Sequence, residues 1–177
     1  MSYNAIIILH NIFGGVCVII IGFPGVGKSS VANPTHSSKR FTGYIDLESS
    51  NFTKTDGWEN IYCKVALDLS QQGYDVFVSS HKQVRDYLAK FQDKDDIIEV
   101  FPEADLHDMW IERLSKRYNN TREEKHQKAL DYMSENYYSA VADMKNDNIE
   151  RKIILDAESY IDDLDREIGS YCMWEGL

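Results

Sequence analysis

The sequence predicts an α/β protein whose core is a mainly parallel sheet of five strands. Short apolar runs alternate along the chain with segments of helical periodicity, which is typical of repeated strand–helix units. The strongest apolar run leads directly into a glycine-rich segment that ends in lysine and serine. No repeat or long linker divides the 177 residues. A chain of this length buries one core, so we expect a single domain over residues 1–177.

Five apolar runs predict the core strands, and polar residues or a proline end them. They occupy residues 16–21, 44–47, 75–80, 97–101 and 153–155. One more apolar run, at residues 5–9, predicts an extra strand or an N-terminal extension, because polar residues interrupt it too soon for a membrane span. Ligands collect at the carboxyl ends of parallel strands, so the residues that follow the five runs are the candidates for a functional site.

Apolar residues at helical spacing predict the helices between these strands. A helix over residues 58–69 ends near Gly73, and another passes through Val84 and Leu88. Pro34 predicts that the helix after the glycine-rich segment is short or kinked. Two helices follow the fourth strand, and a last helix covers residues 160–168. The apolar positions of those two helices are Leu106, Met109, Trp110 and Leu114, then Leu130, Met133, Tyr137, Val141 and Met144.

The glycine-rich segment at residues 22–29 matches G-x-x-x-x-G-K-[ST] at every fixed position. Its glycines allow a turn in which successive backbone N–H groups face one point at a helix N-terminus and form an anion site. In such a phosphate loop Lys28 reaches the β- and γ-phosphates of a nucleotide, and the Ser29 hydroxyl ligates Mg²⁺. A turn that binds nothing would leave Lys28 unexplained. The predicted nucleotide-binding residues are Gly22, Pro24, Gly25, Val26, Gly27, Lys28, Ser29 and Ser30.

Polar residues after the second and third strands are candidates for the chemistry. Asp46 is expected to face the phosphate loop across a cleft, where it can accept a proton or hold Mg²⁺. A solvated acidic loop is the alternative, and the same choice applies to Glu48. Many phosphate-loop enzymes have an aspartate at the end of the third strand that orients Mg²⁺. Here Ser79 and Ser80 stand in its place, so Ser80, a water molecule or Asp46 is expected to take over that role.

Three arginines are the candidate cations of the site. Arg85 follows the third strand by one helical turn and either binds an acceptor phosphate or forms a surface salt bridge. Arg113 and Arg117 share one helical face in the densest basic patch of the chain. There they can stabilise charge on a transferred phosphoryl group, carried by a mobile helical hairpin over residues 105–145. Pairing with neighbouring glutamates on a solvated helix is the alternative.

Charge and cysteine content limit the partners of the protein. The formal net charge is −10 and the pI is about 4.9, so most of the surface repels nucleic-acid backbones, whereas a mononucleotide needs only a local basic cleft. Cys17, Cys63 and Cys172 are far apart and the histidines do not cluster, which predicts buried thiols in a reducing cytoplasm and no zinc site. We therefore expect a cytoplasmic protein with a small-molecule partner and no membrane contact.

Taken together, these motifs resemble the nucleoside monophosphate kinase and shikimate-kinase-like branch of P-loop kinases. Residues 44–52 and 78–85 are more narrowly similar to small adenylate-kinase-like proteins of bacteriophages and prophages. The resemblance implies strand order 2-3-1-4-5, Mg·ATP as donor, and a nucleotide or another small hydroxyl or phosphate compound as acceptor. It also implies that Lys28 stabilises the transferred group, that Arg85 binds the acceptor, and that Arg113 with Arg117 forms a lid. The Asp-Gly-x-Pro-Arg motif of true adenylate kinases is absent, so AMP is one acceptor among several.

Other functions compete with a nucleotide kinase. A polynucleotide 5′-hydroxyl kinase also uses an aspartate after the second strand, although the negative net charge argues against a strand-binding groove. A non-catalytic ATP-binding protein stays open because the acid of the third strand is missing. A GTPase-like switch is disfavoured, since no Asn-Lys-x-Asp motif occurs.

Overall fold

The computed structural model describes residues 17–28 and 44–157 of the chain, and the structural statements below concern these residues. Several predictions lie outside the described residues and stay predictions. They are the extra strand at residues 5–9, the ligands Ser29 and Ser30, the short helix before Pro34, the thiol of Cys172 and the helix at residues 160–168.

Five strands form one sheet in which every neighbouring pair is parallel. They are β1 (Val18–Gly22), β2 (Tyr44–Asp46), β3 (Asp75–Ser79), β4 (Asp96–Pro102) and β5 (Lys152–Leu155). Their order across the sheet is β2-β3-β1-β4-β5. The predicted fold class, an α/β protein with a five-stranded parallel sheet, and the predicted strand order are therefore confirmed.

The central strand β1 explains why the sheet forms a core. It lies between β3 and β4, and all of its residues are buried. A strand covered on both faces carries a continuous apolar run instead of an alternating one, and Val18–Gly22 has that composition. Where β1 begins, the buried Asp75 carboxylate accepts a hydrogen bond from the Val18 N–H at 3.0 Å. The other four strands match their predicted boundaries to within one residue.

Four helices are seen in the described part of the chain. They are α1 (Trp58–Gln71), α2 (Lys82–Leu88), α3 (His107–Thr121) and α4 (Glu124–Asn146). The predicted end of α1 is confirmed, since Gly73 with φ of 95° follows it. The predicted apolar face of α1 is right for Tyr62 and Ala66, which are buried, but Ile61 is 63% exposed.

Helices α3 and α4 form a hairpin that packs on the carboxyl edge of the sheet through buried aromatic and apolar side chains. Trp110, Leu114 and Tyr137, predicted to be apolar contacts, are all buried. Leu106 is an exception, because it lies in a 3₁₀ turn at Ala104–Leu106 where the chain bends after β4. Within residues 17–28 and 44–157 no helix combines the length and the apolar character needed to cross a membrane.

Candidate functional site

The loop after β1 requires glycine at the two fixed glycine positions of the motif, Gly22 and Gly27, and also at Gly25. Gly25 and Gly27 have φ values of 87° and 98°, which residues with a side chain rarely adopt. A Cβ atom on Gly22 would lie 2.8 Å from Cδ of Lys28, closer than real contacts allow. The sequence therefore folds this loop tightly under the Lys28 side chain, as a phosphate loop requires.

Lys28 rests on the backbone of its own loop. Its Nζ donates hydrogen bonds to the carbonyl oxygens of Gly22 at 2.6 Å and Phe23 at 3.3 Å. Burial lowers the pKa of Lys28 to about 8; the Asp46 carboxylate counteracts this shift, and Arg117 adds to it. An anionic ligand that binds here would meet the positive charge of Lys28, which is held in place by uncharged carbonyl oxygens.

Four of the predicted site residues meet at this edge of the sheet, and we call them the edge cluster: Lys28, Asp46, Glu48 and Arg117. Asp46 is the last residue of β2, Glu48 follows it in the loop, and Arg117 lies on α3. All three are close enough to Lys28 to shift its pKa. The loop lysine, the acidic residues at and after the end of β2 and an arginine of α3 thus lie near one another at this edge of the sheet.

The end of β3 supplies a serine oxygen at the position where an acidic residue was missing. Ser79 pairs with Gly22 in the register of β1 and β3, so it is Ser79 that lies beside the start of the phosphate loop. Its Oγ is buried and has no hydrogen-bond partner. The sequence left Ser80, a water molecule or Asp46 as alternatives for this role. Because strand ends are predicted to within a residue or two, the sequence could not decide between the two serines.

Arg85 is buried away from the cleft in a second group of charges, which we call the inner cluster: Arg85, Glu99, Asp147 and Lys152. Its Nε donates to Asp147 Oδ2 at 2.7 Å and lies 3.4 Å from Glu99 Oε1. Its Nη1 donates to the carbonyl oxygen of Ser80 at 2.7 Å. The structure thus shows a buried ionic contact for Arg85, where the sequence left open an acceptor ligand or a surface salt bridge.

The inner cluster was missed by the sequence reasoning, although one signal pointed to it. Glu99 interrupts the apolar run of β4 and is fully buried, and a buried charge needs partners. Lys152 Nζ reaches Asp147 Oδ1 at 2.7 Å and Glu99 Oε2 at 3.5 Å. Burial, together with the Asp147 carboxylate, raises the pKa of Glu99 to about 9, so Glu99 carries a proton at neutral pH.

The base of the α3–α4 hairpin is fastened to the phosphate loop. The Trp110 indole N–H donates to the carbonyl oxygen of Pro24 at 2.7 Å, and a Cβ atom on Gly25 would lie 3.0 Å from Leu114 Cδ2. The Phe23 ring packs edge-on against the rings of Trp110 and Tyr137. This end of the hairpin is therefore part of the core, and the predicted mobility concerns the part beyond it.

Arg113 and Arg117 have different surroundings on α3. The Arg113 guanidinium lies over the Trp110 ring at 4.3 Å from its centre, whereas Arg117 belongs to the edge cluster. At the far end of the hairpin, Lys125 Nζ lies 3.2 Å from Glu48 Oε1. The hairpin thus extends from Pro24 across the cleft to the loop after β2.

His126, at the start of α4, is one of the histidines that form no cluster in the sequence. Thr121 Oγ1 donates its proton to the carbonyl oxygen of Arg117 at 3.1 Å and lies 2.6 Å from His126 Nδ1. The direction of this hydrogen bond depends on the imidazole tautomer, and Nε2 on the other side of the ring is buried without a partner. Burial and the nearby Arg117 lower the pKa of His126, so the ring is neutral at pH 7.

The oxygen atoms at this edge fit a magnesium ion that is held mainly by phosphates. Among residues 17–28 and 44–157, no three histidine, cysteine, aspartate or glutamate side chains form a metal-binding group. Mg²⁺ at a nucleotide site needs only one or two protein ligands, because phosphate oxygens and water complete its shell. The Asp46 carboxylate and the unpartnered Oγ of Ser79 are oxygen ligands of the kind that Mg²⁺ prefers.

Comparison with known proteins adds no family assignment. No protein-family model matches the chain, and no curated protein matches it either. The fold and the loop are consequently the basis for classifying it. A five-stranded parallel sheet in the order 2-3-1-4-5, with the glycine-rich loop after its central strand, is a P-loop-like α/β fold.

Proposed function

We propose that the protein is an ATP- and Mg²⁺-dependent phosphotransferase that moves the γ-phosphoryl group to a small acceptor, a nucleotide above all. The observation that carries the proposal is the glycine-rich loop, whose Gly22 and Phe23 carbonyl oxygens hold the Lys28 ammonium, together with the nearby charges of Asp46, Glu48 and Arg117. A nucleotide sensor needs the loop and its cations. Carboxylates across the cleft are what a transferase needs in order to hold an acceptor or take its proton.

On the donor side, the triphosphate would lie over residues 22–28. Lys28 would leave the carbonyl oxygens of its own loop for the phosphate oxygens, and Arg117 would approach from α3. In a cleft from which water is excluded, both cations stabilise the charge that spreads over the transferred group. Mg²⁺, when bound, neutralises phosphate charge, and Asp46 and Ser79 would hold it together with Ser29.

The transfer itself forms a bond between an acceptor oxygen and the γ-phosphorus, while the bond from that phosphorus to the β–γ bridging oxygen breaks and ADP leaves. A monophosphate acceptor attacks through an oxygen that is already an anion, so no proton needs to move. A hydroxyl acceptor must lose a proton, and Asp46 would accept it.

The surroundings of Trp58 support a nucleotide as acceptor. Its half-buried ring lies near the loop after β2, the Lys54 ammonium is 3.0 Å from the ring centre, and the His81 ring packs edge-on at 5.5 Å. An aromatic face suits a flat base, and a neighbouring cation suits the phosphate attached to it. A small aliphatic acceptor would use neither.

A transfer assay with labelled ATP tests the proposal. We expect the label in a nucleoside diphosphate when AMP or a deoxynucleoside monophosphate is supplied. Asp46→Asn should abolish transfer and leave the affinity for an ATP analogue, measured without Mg²⁺, within about twofold, because Asp46 acts through the metal ion and on the acceptor and not on the nucleotide itself. Asp86→Asn, on an exposed pair with Lys82, is the matched control and should transfer normally.

The same assay separates the competing functions. Label on a 5′-hydroxyl oligonucleotide alone would replace the nucleotide kinase with a polynucleotide kinase. Binding of ATP without transfer to any acceptor would identify a non-catalytic nucleotide-binding protein. Unchanged turnover of Asp46→Asn would show that the carboxylate is not needed for the reaction.

A further inference from the structure

The carboxyl ends of β2 and β3 lose their direct pairing where the candidate site begins. The two strands are in register from Tyr44 opposite Asp75 to Asp46 opposite Phe77, and the Leu47 N–H still donates to the Phe77 carbonyl oxygen at 2.9 Å. In a parallel ladder, the next hydrogen bond would run from the N–H of the residue two further along β3 to the carbonyl oxygen of Leu47. That residue is Ser79.

The hydroxyl group of Tyr62 occupies the place of this hydrogen bond. The Ser79 N–H donates to Tyr62 Oη at 2.9 Å, and Oη donates to the Leu47 carbonyl oxygen at 2.6 Å. One hydroxyl accepts one bond and donates another, so both backbone groups keep a partner although an oxygen atom lies between the strands. Burial raises the pKa of Tyr62 to about 12, and the hydroxyl therefore keeps its proton under all ordinary conditions.

The rest of the Tyr62 side chain fixes that hydroxyl in position. The side chain projects from α1 and is fully buried. The Phe52 ring packs edge-on against it at 5.0 Å between centres, and the Trp58 ring lies at 5.5 Å. Close packing of this kind leaves little freedom for the ring to withdraw.

We propose that Tyr62 is a positioning residue, a wedge that sets the width of the cleft between the ends of β2 and β3. Asp46 and Glu48 leave the sheet on one side of the wedge, and Ser79 on the other. Without the hydroxyl, the strands can close until the Ser79 N–H meets the Leu47 oxygen at about 2.9 Å. Closure would shift the carboxylates toward the phosphate loop and narrow the space for an acceptor.

Tyr62→Phe tests the wedge at the level of structure, independently of any activity. The ring and its packing remain, so we expect a folded protein whose crystal structure shows a direct Ser79–Leu47 hydrogen bond. The matched control is Tyr137→Phe, which removes another buried tyrosine hydroxyl, bonded to the Glu103 carbonyl oxygen at 2.7 Å. That variant should leave the β2–β3 gap unchanged. Strand ends that stay apart in Tyr62→Phe would overturn the inference.

A measurement on the unaltered protein covers the case in which Tyr62→Phe does not fold. The Tyr62 hydroxyl proton should exchange slowly in nuclear magnetic resonance spectra and show a close contact to the Ser79 amide proton. A rapidly exchanging hydroxyl, together with a Ser79 amide bonded directly to Leu47, would contradict the wedge without reference to any variant.

The kinetic consequence rests on the proposed function. In Tyr62→Phe we expect kcat/KM for the acceptor to fall about tenfold, while the affinity for an ATP analogue stays within about twofold. Tyr137→Phe should leave the acceptor kinetics within about twofold. An equal loss in affinity for the ATP analogue and in kcat/KM for the acceptor would indicate a general loosening of the structure and would refute a positioning role. If the unaltered protein transfers no phosphoryl group, the proposed function fails. The crystal structure of Tyr62→Phe alone still decides whether Tyr62 holds the ends of β2 and β3 apart.

Discussion

The edge cluster and the inner cluster have the same composition, two basic and two acidic side chains, but opposite relations to their surroundings. In the inner cluster Asp147 accepts hydrogen bonds from both cations at 2.7 Å, and Glu99 is fully buried. In the edge cluster Lys28 donates to two neutral carbonyl oxygens of its own loop. The inner cluster joins Arg85 of α2 to Glu99 of β4 and Lys152 of β5, whereas the edge cluster lies at the carboxyl edge of the strands.

This difference teaches how a charge that serves the fold differs from a charge that serves a ligand. A cation that is bonded to a carboxylate inside the protein has its charge neutralised by that carboxylate. If the cation moved away, the carboxylate would remain as an unpaired buried charge. A cation held by carbonyl oxygens keeps its full charge for an anion that arrives later. By this criterion Arg85 stabilises the fold, and the surroundings of Lys28 are those expected of a ligand-binding cation.

The largest expected effect is that of Lys28→Met on transfer. Loss of this cation should lower kcat/KM by a factor of about a hundred to a thousand, or about 3–4 kcal/mol, since it contacts the charge that develops on the phosphoryl group. Thermal stability should stay the same or rise, because a partly buried ammonium is removed. Steady-state kinetics and calorimetry measure both quantities. Lys82→Met, an exposed lysine paired with Asp86, is the control and should be neutral.

Asp147→Asn should have the next largest effect, this time on stability. The variant keeps the shape but loses the negative charge between Arg85 and Lys152, so we expect about 3 kcal/mol of destabilisation and a Tm lower by about 10 °C. Glu99→Gln is the matched control: Glu99 carries a proton at neutral pH, and an amide replaces it with little change. A Tm loss in Glu99→Gln as large as in Asp147→Asn would contradict the account of the inner cluster.

A smaller effect is expected from pH, and it is specific to the edge cluster. The pKa of Lys28 is lowered to about 8 in the free protein, and bound phosphates would raise it again. Affinity for an ATP analogue should therefore be highest near about pH 7 and fall by up to about tenfold per pH unit above about pH 8. Titration calorimetry across this range measures the slope. Lys28→Met should bind the ATP analogue weakly and without this dependence on pH. An affinity of the unaltered protein that does not change with pH would count against a titrating Lys28.

The smallest effect is expected at the tip of the hairpin. Lys125 and Glu48 form a partly exposed pair at 3.2 Å, and such pairs contribute about 1 kcal/mol or less. Lys125→Met should therefore change the acceptor KM by about twofold and leave kcat unaltered. Lys128→Met, in an exposed pair with Glu124, controls for loss of charge on the same helix. A large loss of kcat in Lys125→Met would give the tip a direct part in the reaction.

The sequence predicted the fold, and it singled out four residues that the structure brings near one another, for clear physical reasons. A buried central strand leaves a continuous apolar run, and the phosphate loop has a motif because its backbone geometry demands glycine. Asp46 followed from its place at a strand end. These features are local, and a local pattern is enough to recognise them.

What the sequence could not predict depends on contacts between distant residues. Asp147, the partner of Arg85, lies 62 positions from it in the sequence, and no local pattern predicts a pair at that separation. The choice between Ser79 and Ser80 depends on the register of β3 against β1, which differs by one residue between the alternatives. The position of Tyr62 between two strands also needs the packed structure, because its spacing is that of an ordinary helical core residue.

The bond between the Trp110 indole and Pro24 joins residues 86 positions apart, and this separation matters while the chain is being made. The loop at residues 22–28 leaves the ribosome early, but its packing partners on α3 and α4 emerge much later. Until Tyr137 has been synthesised, the Phe23 ring lacks at least one of the two aromatic rings that pack against it. The nascent chain therefore completes the packing around its glycine-rich loop only when most of the protein exists.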